Sequence, residues 1–245
     1  MEPGISIIMP AYLGEYQGSR TRADVKFIRA VIFFLKQEYS NKELIIVSDG
    51  DKKVNELYDE LWKNEKEVKL IKCEKVEARW PGILREVGRS YASNEWIGYL
   101  DTDDIFSGGH LKMIGNAINE RKNNESVIFC RISFHPIPKI ANPKFKKYCG
   151  FTEDTSDEEW LEFYNKQHTM SNGLEESMKI IGRDYQSLAG TWCIVHKIDV
   201  APRWQNKEQV GEDYDFIKRL REKERCVEVR TGGYVIMHMA GHIDF

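Results

Sequence analysis

The chain has 245 residues, 41% hydrophobic and 31% charged, with a formal net charge of -3 at pH 7. That length suits one large α/β domain or two small ones, with a sizeable core, and the composition is that of an ordinary soluble protein. The charge offers no electrostatic case for nucleic acid, which favours a clearly basic face, and no block of like charges reads as a tail.

Ile5 to Met9 (ISIIM) is a short apolar run ended by Pro10 and predicts a buried strand. Val25, Ile28, Ile32 and Leu35 recur at helical spacing. Leu44 to Val47 (LIIV) predicts a second buried strand, closed by the turn-like SDGD of Ser48 to Asp51. Val54, Leu57, Leu61 and Trp62 mark a second helix. Val68 to Cys73 alternates apolar and polar, as an edge strand does. Ile83, Leu84, Val87 and Tyr91 mark a third helix, with Pro81 near its first turn. Trp96 to Leu100 is the next strand, Leu111 to Ile118 the next helix, and Val127 to Phe134 a further strand. His135 to Ser187 is either a long functional insertion or a few short helices. Beyond it, Ala189 to Val195 reads as a strand, Glu212 to Leu220 as a helix, and Cys226 to Val229 and Tyr234 to Met237 as two late strands.

The alternation of strand and helix in the first half predicts a parallel sheet flanked by helices. Ligands of such sheets bind outside the carboxyl ends of the strands. Three strands end in informative residues: Pro10-Ala11-Tyr12, Ser48-Asp49-Gly50 and Asp101-Thr102-Asp103. The five cysteines (Cys73, Cys130, Cys149, Cys193 and Cys226) are scattered, without a CxxC pair or zinc spacing, which fits reduced thiols. No signal peptide and no stretch long enough for a bilayer is read, so the expectation is a cytoplasmic protein, and the Asn-Glu-Ser sequon at Asn124 is taken as chance.

WIGYLDTDDIF drives an apolar strand straight into Asp101, Asp103 and Asp104. Residues at i and i+2 in extended chain point the same way, and two carboxylates side by side repel. A divalent cation removes that conflict, and one or two carboxylates shared with phosphate oxygens suit Mg²⁺ or Mn²⁺. The plainer reading, an aspartate cap on the loop or on the next helix, carries less weight at the end of a buried strand. Glu212 and Asp213 open the helix GEDYDFIKRL; acidic residues there favour the helix dipole, or one of them projects into the cleft as a general base.

In these motifs the chain resembles family 2 glycosyltransferases, whose nucleotide-binding domain has the GT-A fold. SIIMPAY resembles the family's strand followed by Pro-x-Tyr, LIIVSDGD its VDDGS turn, LREVGRSYA its ARNxGxxxA helix, YLDTDD its LDxDD segment, and GEDYDFIKRL its Glu-Asp helix. All five occur in the family's order, with the two acidic motifs about 110 residues apart. The resemblance implies an α/β GT-A fold: a Rossmann-like, mostly parallel sheet flanked by helices, with an acceptor-side region in the C-terminal half. It implies one domain over residues 1-245, with a nucleotide-sugar-binding half at 1-125 and an acceptor-binding and catalytic-base half at 126-245.

By the same resemblance, Pro10, Ala11 and Tyr12 wrap the nucleotide base. Asp49 accepts a hydrogen bond from it, Arg85 faces the nucleotide or its diphosphate, and Thr102 touches the nucleotide. Asp101 holds ribose or metal, Asp103 ligates Mn²⁺ or Mg²⁺, and Asp213 is the base. His238, and less so His242, would supply a third metal ligand. Arg85 and the cation offset charge on the leaving diphosphate, while Asp213 takes the proton of the attacking hydroxyl, inverting the anomeric centre. The implied partners are a nucleotide-sugar donor, UDP-linked, and a glycan or lipid-linked saccharide acceptor, in surface polysaccharide or glycoconjugate synthesis. Peripheral membrane association stays open. The sugar would be a hexose or N-acetylhexosamine. Three positions depart from the family pattern: Ser48 and Asp51 in the turn, and Glu86 after the arginine. The first bears on the base bound; Glu86 is expected near the phosphates. The acceptor pocket is expected from His135 to Ser187 and Gly190-Thr191-Trp192. Trp192 reads as core ahead of sugar platform, and Trp160 and Trp204 are open between the two. Alternatives are a retaining transferase of the same fold, a sugar nucleotidyltransferase (here lacking a dense glycine loop) and a silent nucleotide-sugar-binding module.

Overall fold

Ile5, Ile7, Ile8 and Met9 have no exposed surface. Burial on both faces marks a central strand of a parallel sheet, and these residues form β1 (Ile5–Ala11) in a computed structural model of the protein. The structure describes residues 2–14, 22–75, 81–122, 124–134, 152, 154–162, 165, 194–205 and 212–236. The next elements follow in the expected order: α1 (Ala23–Leu35), β2 (Lys42–Asp49), α2 (Lys52–Leu61), β3 (Val68–Cys73), α3 (Gly82–Ser90) and β4 (Trp96–Tyr99). After them come β5 (Ile105–Phe106), α4 (His110–Glu120), β6 (Val127–Phe134), β7 (Ile194–Lys197), α5 (Glu212–Lys223) and β8 (Cys226–Ile236).

The strands form one eight-stranded sheet in the order β3-β2-β1-β4-β7-β6-β8-β5. The four from β3 to β4 run parallel, and β3 is at the edge as its alternation implies. Past β4 the sheet becomes mixed: β7 is antiparallel to both β4 and β6, and β5 is antiparallel to β8. Two details differ from the sequence reading. The two-residue β5 was not anticipated. The two late strands are one, β8, whose ladder with β6 pairs Cys226–Val229 and Tyr234–Ile236, with Gly232 and Gly233 in the register shift between them.

With β2, β1 and β4 adjacent, the segments Pro10–Tyr12, Ser48–Gly50 and Asp101–Asp103 lie together at the carboxyl edge of the parallel strands. The opposite edge is stapled by Glu43. Its carboxylate accepts hydrogen bonds from the Ser6 hydroxyl, from Ser93 N (2.7 Å) and Oγ (2.8 Å), and from Lys69 Nζ (2.6 Å). Burial raises the Glu43 carboxyl pKa, but these donors more than offset it and leave it net below the usual carboxylate range. A depressed folded-state pKa stabilises the fold above the unfolded value, and that stability is lost as pH falls through the folded one. Glu43→Gln is therefore expected to lose about 1–3 kcal/mol at neutral pH, with Lys69 half exposed. Urea unfolding should show this gap closing below about pH 4; a gap that persists in acid would assign the loss to packing.

Candidate active site

Asp51 ends the SDGD turn and caps α2, its Oδ1 accepting from Lys53 N (2.7 Å) and Val54 N (3.2 Å). Aspartate and serine cap helices about equally well, so the departure from the family's serine keeps the turn intact. The other oxygen accepts from Leu13 N at 2.5 Å, pinning the chain just after Pro10-Ala11-Tyr12. Gly50 adopts φ +63°, and a Cβ there would stand 2.7 Å from Lys75 N, so the turn needs glycine. Asp49 closes β2, nearly buried. Tyr12 is half-buried, and Lys75, beyond the end of β3, donates to its hydroxyl (3.1 Å) with Nζ 4.7 Å from the ring centroid. That hydrogen bond, and then Asp49 and Asp51, raise the Lys75 pKa. Lys75 thus stands beside Tyr12 although its sequence context carries no motif; its place at a strand end is the available signal.

The acidic loop leaves β4 as a tight turn, Asp104 N donating to Asp101 O at 3.2 Å. It is held from several sides. Arg29 of α1 donates to Asp103 O (2.7 Å). Tyr234 of β8, fully buried, accepts from Asp101 N (3.1 Å) and donates to Asp104 Oδ2 (3.0 Å). Asp101, Thr102 and Asp103 remain half-buried with surface toward solvent, whereas Asp104 is buried.

Arg85 of α3 brings the distant acidic motif to this loop. Its guanidinium is buried; Nη1 donates to Glu212 Oε1 (2.9 Å) and Nη2 to Asp101 Oδ1 (3.2 Å). Burial lowers the Arg85 pKa, but Asp101, Glu212 and Asp213 outweigh it, so the net shift is upward and the group stays charged. Glu212 shifts up as well, because burial outweighs Arg85 and Asp213 and Asp101 add repulsion. The two shifts differ in meaning: one cation faces three carboxylates, which favours the cation more than each anion. Glu212 Oε2 also accepts from Gly82 N (3.0 Å), so this carboxylate satisfies the first turn of α3 as well as lying in that of α5. A Cβ at Gly82 would fall 2.5 Å from that oxygen. Asp213, next in the chain, is half-buried and close enough to act on both Arg85 and Glu212.

The structure therefore gathers Asp101, Asp103, Arg85 and Asp213 on one side of the strand ends and Tyr12 and Asp49 on the other. Arg85 was expected to face the diphosphate; both terminal nitrogens instead sit on carboxylates, with Nε making no hydrogen bond among the described residues. Glu86, expected near the phosphates, turns to Arg89 (2.8 Å) and Trp204 N (3.2 Å). Trp204 and Trp160 are core residues, buried to 6% and 1% exposure. Trp192, His238, His242 and nearly all of His135 to Ser187 lie outside the described residues.

Among the described residues no group of three or more Asp, Glu, His or Cys is placed to hold a metal ion. The oxygen-only pair Asp101 and Asp103 suits a hard divalent ion as a half-site, with one Asp101 oxygen engaged by Arg85. The remaining ligands would have to come from substrate phosphates or water.

The sequence profile described as Glycosyl transferase family 2 matches residues 6–182. The chain is 32% identical over 157 residues to the Escherichia coli protein WfgD, described as UDP-Glc:alpha-D-GlcNAc-diphosphoundecaprenol beta-1,3-glucosyltransferase; the match covers 60% of this chain and 56% of WfgD. It is 31% identical over 149 residues to an uncharacterized glycosyltransferase of Haemophilus influenzae, covering 58% of this chain and 54% of that one. Among solved structures, TarS 1-349 of S. aureus in complex with UDP superposes with a TM-score of 0.62 at 14% identity, over 95% of this chain and 60% of that chain. The same fragment with UDP-GlcNAc gives 0.61 at 15% identity, over 95% and 58%. Each alignment with these curated relatives takes in a little over half of the relative's length.

Proposed function

This chain belongs to glycosyl transferase family 2 and has the GT-A fold, and we propose that it transfers a sugar from a UDP-linked donor to an acceptor hydroxyl with inversion. The observation that carries this is the Arg85 bridge, which places the acidic loop at the end of β4 beside the helix start that bears Asp213. Pro10, Ala11, Tyr12 and Asp49 would receive the nucleotide base, and Thr102 and Asp101 its ribose. Asp103, with Asp101, would hold Mn²⁺ or Mg²⁺; a bound ion supplies positive charge against the departing diphosphate. Asp213 takes the proton of the attacking hydroxyl. Arg85 offsets the summed negative charge of the site from beneath, through Asp101. His238 stays a candidate third metal ligand. The complexes of TarS with UDP and UDP-GlcNAc support the donor class, and the name of WfgD supports a lipid-linked saccharide acceptor and a hexosyl group.

The same reading treats residues 1–245 as one domain, 1–125 for the nucleotide sugar and 126–245 for acceptor and base; the unbroken sheet supports it. A cytoplasmic setting belongs to the reading too, supported by the free thiols Cys73 and Cys226. No helix among the described residues is long and apolar enough to cross a membrane.

Release of nucleoside diphosphate from a panel of nucleotide sugars, with acceptor and Mn²⁺, tests the activity; product anomers by NMR test inversion. UDP release with a retained anomer would overturn the stereochemistry, and no release from any donor the transfer itself. Asp103→Ala is expected to abolish the Mn²⁺-dependent part of UDP binding in calorimetry; equal affinity with and without Mn²⁺ in the unmodified protein would remove the ion.

A further inference from the structure

Trp204 precedes α5 and is clamped on both faces. Its ring stacks on Phe216, one turn into α5, with centroids 3.9 Å apart and planes at 6°. The Arg85 guanidinium carbon lies 5.1 Å from its centroid. Its edges are tied as well: the backbone N–H donates to Glu86 and the indole Nε1–H to the Tyr99 hydroxyl (3.2 Å). The Tyr99 oxygen is 2.8 Å from His196 Nε2, and His196 Nδ1 is 2.8 Å from Lys197 O. A carbonyl only accepts, so Nδ1 carries the proton and Nε2 accepts from Tyr99. Burial pushes the His196 pKa down to about 4, so the ring is neutral near pH 7 and the direction of the chain is defined. Arg89 fastens the same segment to α3 through Ala201 O (3.1 Å) and Pro202 O (3.0 Å).

We propose that Trp204, oriented through Tyr99 and His196, is a positioning residue that sets where the first turn of α5 presents Glu212 and Asp213 to Arg85 and the acidic loop. Nothing in the family motifs points to it; Glu86, Tyr99, His196 and Trp204 form one connected set, reaching α5 from α3, β4 and β7. The inference rests on the reading of Asp213 as the base. A displacement of about 1 Å in a reacting group is enough to lower a rate about 100-fold, whereas UDP, on the reading above, would sit against β1, β2 and the acidic loop and would not sense it.

The test uses Trp204→Phe, which keeps a ring between Phe216 and Arg85 but loses the indole N–H, and Tyr99→Phe, which removes the hydroxyl between indole and imidazole. Both are expected to exchange the amides of Phe216, Ile217 and Lys218 about tenfold faster, with β1 and β2 amides unchanged. Turnover should fall about 10- to 100-fold while calorimetric UDP affinity with Mn²⁺ stays within twofold. Unchanged exchange in α5 overturns the proposal, as does a loss of UDP affinity equal to the loss of turnover. Asp213→Asn is assayed alongside: native turnover there defeats the base reading by itself, while the exchange data still decide whether Trp204 holds the helix. A variant that does not fold leaves the other to decide.

Discussion

Asp213→Asn is expected to turn over about 10²–10⁴-fold more slowly than the unmodified protein and to bind UDP as tightly. The amide keeps the shape of the side chain and its place at the start of α5, so the Arg85–Glu212 pair is undisturbed. It cannot take a proton. The Asp213 carboxylate is half-buried and close enough to the Arg85 guanidinium to act on it, so the site is already built around that side chain. Single-turnover release of UDP, set against calorimetric UDP affinity, separates loss of chemistry from loss of binding. Near-native turnover would take Asp213 out of the mechanism.

Arg85→Met is expected to destabilise the fold by about 3–5 kcal/mol, the usual result of stripping a buried charge of its partner. Glu212 would keep Gly82 N as a donor but lose its counter-ion, and its carboxyl, already raised, would rise further. A raised folded-state pKa means that the folded protein holds the proton more tightly. The deficit should therefore be full above that pKa and shrink as pH falls through it. Adding Glu212→Gln to Arg85→Met should recover part of the loss, and the departure from additivity reports the coupling between the two groups. A deficit under about 1 kcal/mol in urea unfolding would show that the guanidinium is not what holds the two motifs together.

The first half of the fold was legible because each of its elements carries its own period. ISIIM and LIIV are short apolar runs closed by Pro10 and by the SDGD turn, which favours buried strands over helix, and the helices between them repeat every three or four residues. Beyond β4 the information is no longer local. β5 is two residues long and has no period to read. β8 contains Gly232 and Gly233, which read as a break in sequence; they fall in the register shift between the two stretches of β8 that pair with β6, Cys226–Val229 and Tyr234–Ile236. That β7 enters antiparallel between β4 and β6 depends on pairings across many tens of residues.

The site divides in the same way. Asp101, Asp103 and Asp213 announced themselves by motif and by position at strand or helix ends. The direction of Arg85 did not, since an arginine on an amphipathic helix turns inward or outward according to what meets it. Here a glutamate 127 residues further along the chain meets it. For Glu212 and Asp213 the sequence leaves open a place in the first turn of their own helix or a projection into the cleft, and Glu212 does lie in that turn. It also serves the first turn of α3, a contact that no spacing in the sequence encodes.

That separation also bears on how the molecule is made. A growing polypeptide completes β1 to β4 and can assemble their shared core well before α5 leaves the ribosome. Until it does, α3 carries a guanidinium with one of its carboxylate partners missing and a first-turn amide without its acceptor. Any chain interrupted before Glu212 keeps the Asp101 contact of Arg85 but lacks the one carboxylate that serves both Arg85 Nη1 and Gly82 N.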